Sequence, residues 1–228
     1  MSDTIKAVLF DLDDTLYEEM TFVRSGFHAV SRHMSDKFNI NKAEVHLSLM
    51  DILSKQGRGR VFDEFLDHSG LYSSQTVDEM VEVYRSHKPD IRLNPEAIST
   101  LKGLRTMGIK LGIITDGLCS VQKNKVRALG IKELVDIIIY TDEIGKDYWK
   151  PNSIAFLLAS KSFSIEPCEA TYIGNDPAKD FAGPNSVGMQ SVHLCKNKHC
   201  MEESCQASIH IASLDEVIPN IIIKNPNR

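Results

Sequence analysis

Five short, mostly apolar runs constrain this chain more than anything else in it: A-V-L-F (7–10), K-L-G-I-I-T (110–115), D-I-I-I-Y (136–140), A-T-Y-I-G (170–174) and Q-S-V-H-L (190–194). Near-continuous apolarity, instead of alternation, is what a strand needs when helices cover both of its faces. Segments of helix length lie between the runs, and three leave through a glycine, in R-T-M-G-I-K, R-A-L-G-I-K and N-S-V-G-M-Q. Gly108, Gly130 and Gly188 stand where a left-handed residue ends a helix, with an apolar residue directly after. This is the grammar of βαβ units, so the expected class is α/β with a parallel sheet between two helical layers.

One interval breaks the rhythm. From about Glu18 to about Leu93 no comparable strand run occurs, and spacings such as Val77, Met80, Val81 and Tyr84 follow the helical period. The chain is therefore expected to divide into an α/β core of residues 1–17 and 94–228 and a small helical insertion of residues 18–93. Pro89 and Pro95 suit the return to the core.

Bulk properties narrow the function classes. With 228 residues, 42% hydrophobic and 25% charged, the chain can bury a sizeable core unaided. A net charge of −5 gives no basic footprint for nucleic acid. No apolar stretch approaches the roughly 18 to 20 residues needed to cross a bilayer, and M-S-D-T-I-K has no signal-like apolar region. A cytoplasmic protein with reduced thiols is expected. Cys195, Cys200 and Cys205 fall near His193, His199 and His210, which suggests zinc. The spacing C-x4-C-x4-C lacks the tight knuckles of most such sites, and the segment reads as a polar loop.

Chemistry gathers where the apolar runs end. The first passes into D-L-D-D-T, where Asp11 and Asp13, two residues apart in extended chain, can point the same way. Two close carboxylates repel unless a cation or proton intervenes, and a hard ion such as Mg²⁺ prefers oxygen ligands. The alternative is a strand-to-turn junction whose aspartates cap the next segment. The second run closes on Thr115, Asp116 and Gly117, a hydroxyl and turn amides suited to a phosphoryl oxygen. The fourth leads into G-N-D-P-A-K-D with Asn175, Asp176 and Asp180. Ligands of open parallel sheets bind beyond the carboxyl ends of the strands, where these groups converge. Lys150, just before Pro151, can supply the missing positive charge, with Lys146 as competitor.

In order and over nearly the whole chain, D-L-D-D-T, I-I-T-D-G, K-P and G-N-D-P-A-K-D resemble the four motifs of the haloacid dehalogenase (HAD) superfamily. Its members are mostly Mg²⁺-dependent phosphatases on a Rossmann-like core, and the helical insertion resembles the cap of those that carry one after the first motif. The resemblance implies that Asp11 is a nucleophile forming an aspartyl phosphate and that Asp13 is general acid and then base. It makes Thr115 and Lys150 binders of the phosphoryl group, with Asp116 and Gly117 in the same loop. Metal ligands are implied at Asp11, at Asp13 through its backbone carbonyl, at Asp176, and at Asp180 either directly or behind the ligands. As general acid, Asp13 should hold its proton more tightly than Asp11.

The fourth motif departs from the commoner pattern, with Asn175 where many relatives carry the first acid; Asp176 is favoured as the ligand for its charge. Asp116 replaces a frequent asparagine and can orient the loop. Asp14 is read as solvated or as a local cap. The expected function is hydrolysis of a phosphate monoester on a small metabolite. A phosphomutase, or an inactive phosphate-binding protein on the same fold, is the alternative. Arg58, Arg60, Phe62 and Phe65 of the insertion can meet a substrate, or be solvated and pack the insertion's own core.

Overall fold

The computed structural model describes residues 4–195 and 205–222, and the chain clusters into two compact units, residues 1–18 with 92–228 and residues 19–91. In the first unit six parallel strands form one sheet in the order β3-β2-β1-β4-β5-β6. They are β1 (Ala7–Phe10), β2 (Lys110–Thr115), β3 (Ile137–Tyr140), β4 (Ala170–Gly174), β5 (Gln190–Leu194) and β6 (Ile209–Ile211). All four residues of β1 are fully buried, which is why its run does not alternate. The strand order reverses its direction of growth at β1 and β4, the topological switch at which such sheets open a ligand crevice.

The second unit holds α1 (Glu19–Phe38), α2 (Lys42–Gln56), α3 (Val61–Ser69) and α4 (Ser74–Ser86). Its core is built by Phe27, Val30, Met34, Leu49, Leu66 and Met80, with Val77 and Tyr84 packed against them as the helical period requires. Asn41 caps α2 by accepting from the amide of Ala43 at 2.9 Å, and Ser73 caps α4 by accepting from Thr76 at 3.1 Å. Phe65 and Phe62 belong to this core, Arg58 pairs with Glu19 at 2.6 Å, and Arg60 is exposed.

The core unit continues with α5 (Pro95–Thr106), α6 (Cys119–Leu129), α7 (Thr141–Ile144), α8 (Ile154–Phe163) and α9 (Ala182–Ser186). Gly108, Gly130 and Gly188 have φ of 75°, 61° and 80° at the ends of α5, α6 and α9. The chain leaves the core after Glu18 and returns at Arg92, and just inside these points the Asn94 amide donates to the Leu16 carbonyl at 3.0 Å. Pro151 follows a cis peptide bond, and α8 begins at Ile154. Two local expectations are corrected. The sheet has a sixth strand, the edge strand β6, I-H-I, too short to stand out as an apolar run. Cys195 is disulfide-bonded, while Cys119, Cys168 and Cys205 are free thiols. His199 and Cys200 lie outside the described residues.

Candidate active site

Asp11 is fixed by the end of the β1–β4 ladder, its amide donating to the Ile173 carbonyl at 2.8 Å. Its side chain is buried, with Oδ1 accepting from Lys150 Nζ at 2.5 Å. Oδ2, equally buried, finds no hydrogen-bond partner among the described residues. Burial pushes the Asp11 carboxyl up, Lys150 draws it back, and the charges of Asp180 and Asp13 raise it again, leaving it at about 7.

Lys150 also donates to Asp180 Oδ1 at 2.7 Å and to the Tyr172 hydroxyl at 3.0 Å, and that hydroxyl donates to Asp180 Oδ1 at 3.0 Å. Burial alone would lower the lysine, but Asp11, Tyr172 and Asp180 outweigh it and hold it well above its ordinary value. Lys146 is exposed. One ammonium therefore serves two buried carboxylates.

Asp180 uses both oxygens. Oδ2 accepts from the amides of Asn175 at 3.0 Å and Asp176 at 2.9 Å, closing the loop after β4 around one carboxylate. Gly174 leaves the space for it, since a Cβ there would overlap the Asp180 carboxylate. This bonding makes Asp180 a brace between Lys150 and the loop after β4. The Asn175 side-chain oxygen accepts from Thr15 Oγ1 at 3.2 Å, tying the first motif to the fourth. Asp176 is the more open of the pair: its carboxylate is 39% exposed, with Oδ1 accepting from Ala178 and Lys179 3.6 Å from Oδ2.

Asp13 turns to a different set of partners. Oδ1 accepts from Lys125 Nζ at 2.7 Å and from the Tyr17 hydroxyl, and Oδ2 accepts from Gln122 Nε2 at 2.9 Å. Burial would raise this carboxyl, but the Lys125 charge and these hydrogen bonds outweigh it and hold it below the ordinary range. The expected order of the two acids is thus reversed: Asp11 is up and Asp13 is down. The cause is Lys125, which the reading of strand ends missed together with Gln122, Tyr17 and Tyr172. The signal was present in α6, where Gln122, Lys125, Val126 and Leu129 form the buried stripe. Two polar residues in apolar places of that spacing point inward.

Thr115, buried at the end of β2, accepts from Gln122 Nε2 at 2.5 Å. Asp116 Oδ1 accepts from Thr141 Oγ1 at 2.7 Å and from the Lys150 amide at 3.3 Å, so its carboxylate braces the loops. Gly117 has φ of 110°, a turn that a side chain would strain. Asp14 is exposed with φ of 58°, a left-handed conformation that aspartate tolerates.

Comparison with known proteins identifies the family. The profile of the family described as haloacid dehalogenase-like hydrolase matches residues 8–194. The glyceraldehyde 3-phosphate phosphatase of Methanocaldococcus jannaschii is 34% identical over 97% of this chain and 98% of its own length. The protein of the same name from Methanopyrus kandleri is 33% identical over 86% of each chain. Among solved structures, a HAD phosphatase from Thermococcus onnurineus superposes with a TM-score of 0.62 at 28% identity, covering 94% of this chain and 97% of the other. With the Asp11–Lys150 pair, the parallel sheet and these relatives in hand, the chain belongs to the haloacid dehalogenase-like hydrolases and is a phosphoric monoester hydrolase.

Proposed function

We propose that this hydrolase is a Mg²⁺-dependent phosphatase of small phosphorylated metabolites that works through an aspartyl phosphate on Asp11, in the cytoplasm, with residues 19–91 as a substrate-selecting cap. The buried Asp11 carboxylate carries the reading: one oxygen is held by Lys150 and the other is left without a partner. Mg²⁺ fits the donor set of Asp11, Asp176 and the Asp13 carbonyl, all hard oxygens, and when bound it would supply positive charge between a carboxylate and a phosphate dianion.

The chain's own residues then divide the work. Asp11 attacks phosphorus while the bond to the leaving oxygen breaks, and Asp13 gives that oxygen its proton. Water next attacks the aspartyl phosphate, Asp13 takes a proton from it, and Asp11 is regenerated with release of phosphate. Lys125 keeps Asp13 low before substrate arrives; a dianionic ester alongside adds like charge, which raises an acid's pKa toward the value a proton donor needs. Thr115 and the Gly117 turn offer donors to the phosphoryl oxygens, and Lys150 offsets their charge. Asp180, Asp116 and Gln122 aim these groups.

The names of the relatives favour short sugar phosphates such as glyceraldehyde 3-phosphate. Within the helical unit, Phe27, Arg58, Phe62, Tyr84 and Arg85 line a cavity of about 280 Å³. The test is phosphate release across a panel of sugar phosphates and nucleotides, with Mg²⁺ and with chelator. Turnover should need the metal and vanish in Asp11→Asn, and hydroxylamine should trap an acyl phosphate. Undiminished turnover in Asp11→Asn, or in chelator, would overturn the proposal.

A further inference from the structure

A second cluster of ligating side chains lies on the outer strands of the sheet. The parallel register of β5 and β6 pairs His193 with His210, which puts both imidazoles on one face of the sheet. Cys205 enters from the segment leading into β6. One donor atom from each of the three lies within 4.8 Å of the others. The Cys205 sulfur is 3.4 Å from His193 Nδ1. With Zn–S of about 2.3 Å and Zn–N of about 2.05 Å, a tetrahedral ion sets this edge at roughly 3.5 Å. The imidazole rings of His193 and His210 stand 5.4 Å apart at 69°, and Phe181 closes the other side of His193 at 5.3 Å.

The surroundings hold these donors in place. The Gln206 carbonyl accepts from Asn185 Nδ2 at 2.7 Å, and the Ser208 amide donates to the Ser191 carbonyl at 3.0 Å. His193 is fully buried, and its Nε2 finds no hydrogen-bond partner among the described residues. A buried imidazole nitrogen without a partner is costly.

We propose that His193, Cys205 and His210 supply three ligands to one Zn²⁺, with water in the fourth position, at a site distinct from the Mg²⁺ of the hydrolytic site. Two imidazoles and a thiolate are borderline-to-soft donors that prefer zinc to magnesium. The ion would tie β5 to β6 and to the segment that carries Cys205.

The test uses the full chain in excess Mg²⁺, so that hard oxygen sites are filled. Elemental analysis after dialysis should find one zinc per chain. Cobalt substitution should give a thiolate-to-cobalt charge-transfer band, and chelation should lower Tm. Cys205→Ser and His210→Asn should each lose the ion, the band and the Tm response, while Cys168→Ser keeps all three. Absence of retained zinc together with absence of the cobalt–thiolate band, or a band unchanged in Cys205→Ser, would overturn the proposal. These readouts do not depend on turnover, so their failure is separate from failure of the phosphatase reading.

Discussion

Replacing Asp11 by asparagine should abolish turnover and yet make the metal-free protein more stable at neutral and alkaline pH. The folded-state Asp11 carboxyl stands at about 7 against an ordinary 3.8. The folded protein therefore binds more protons than the unfolded one between these values, and stability falls as pH rises through that window. At about 1.4 kcal/mol per pH unit, the ionised carboxylate costs on the order of 4 kcal/mol above pH 7. Asparagine removes the charge but keeps an oxygen for Lys150; its NH₂, at the partnerless Oδ2 position, forfeits about 1–3 kcal/mol. The net gain is on the order of 2 kcal/mol, or a Tm rise of roughly 4–8 °C for a chain of this size. Thermal unfolding of both proteins in chelator from pH 5 to 9 measures it. The advantage should shrink as pH falls toward 4, and Mg²⁺ should raise Tm of the parent far more than of the variant. Parallel Tm profiles across pH, with no gap between the proteins, would refute the argument that Asp11 holds uncompensated charge.

Gly174→Ala should cost about 1–3 kcal/mol in chemical denaturation and lower kcat sharply, because the new Cβ displaces a buried Asp180 that cannot step aside. Lys125→Met should destabilise the chain by about 1–3 kcal/mol, less than for a fully buried pair because Asp13 is 19% exposed. Asp13 is depressed in the fold, so its charge contributes stability above its ordinary 3.8 that is lost as pH falls; without Lys125 that contribution goes, and the Asp13 limb of the pH–rate profile should move to higher pH.

The sheet was legible because burial on both faces removes the alternation that would otherwise blur a short strand, and β1, β2, β4 and β5 begin and end where their apolar runs do. Where the core gains only an edge, as at β6, three residues carry too little pattern. The acids at the strand ends were equally visible, since carboxylates after apolar runs have few structural uses. Their protonation order was not, because it depends on Lys125 and Gln122, which reach Asp13 from a helix more than a hundred residues later in the chain. Nor did the residue types show that Asp180 would spend both oxygens on the loop and Lys150. Carboxylates that ligate and carboxylates that brace look the same in a sequence.

The hydrogen bond from Asn94 to Leu16 joins the core's own backbone across the ends of the helical segment. The two points are already stitched together, so a short turn or an unrelated insert could span them as well as the helical segment does. Closure entropy changes by only about 0.6 kcal/mol per doubling of loop length, so even a twentyfold change in insert size amounts to roughly 3 kcal/mol. Such a seam lets the inserted segment change in length at small entropic cost to the core.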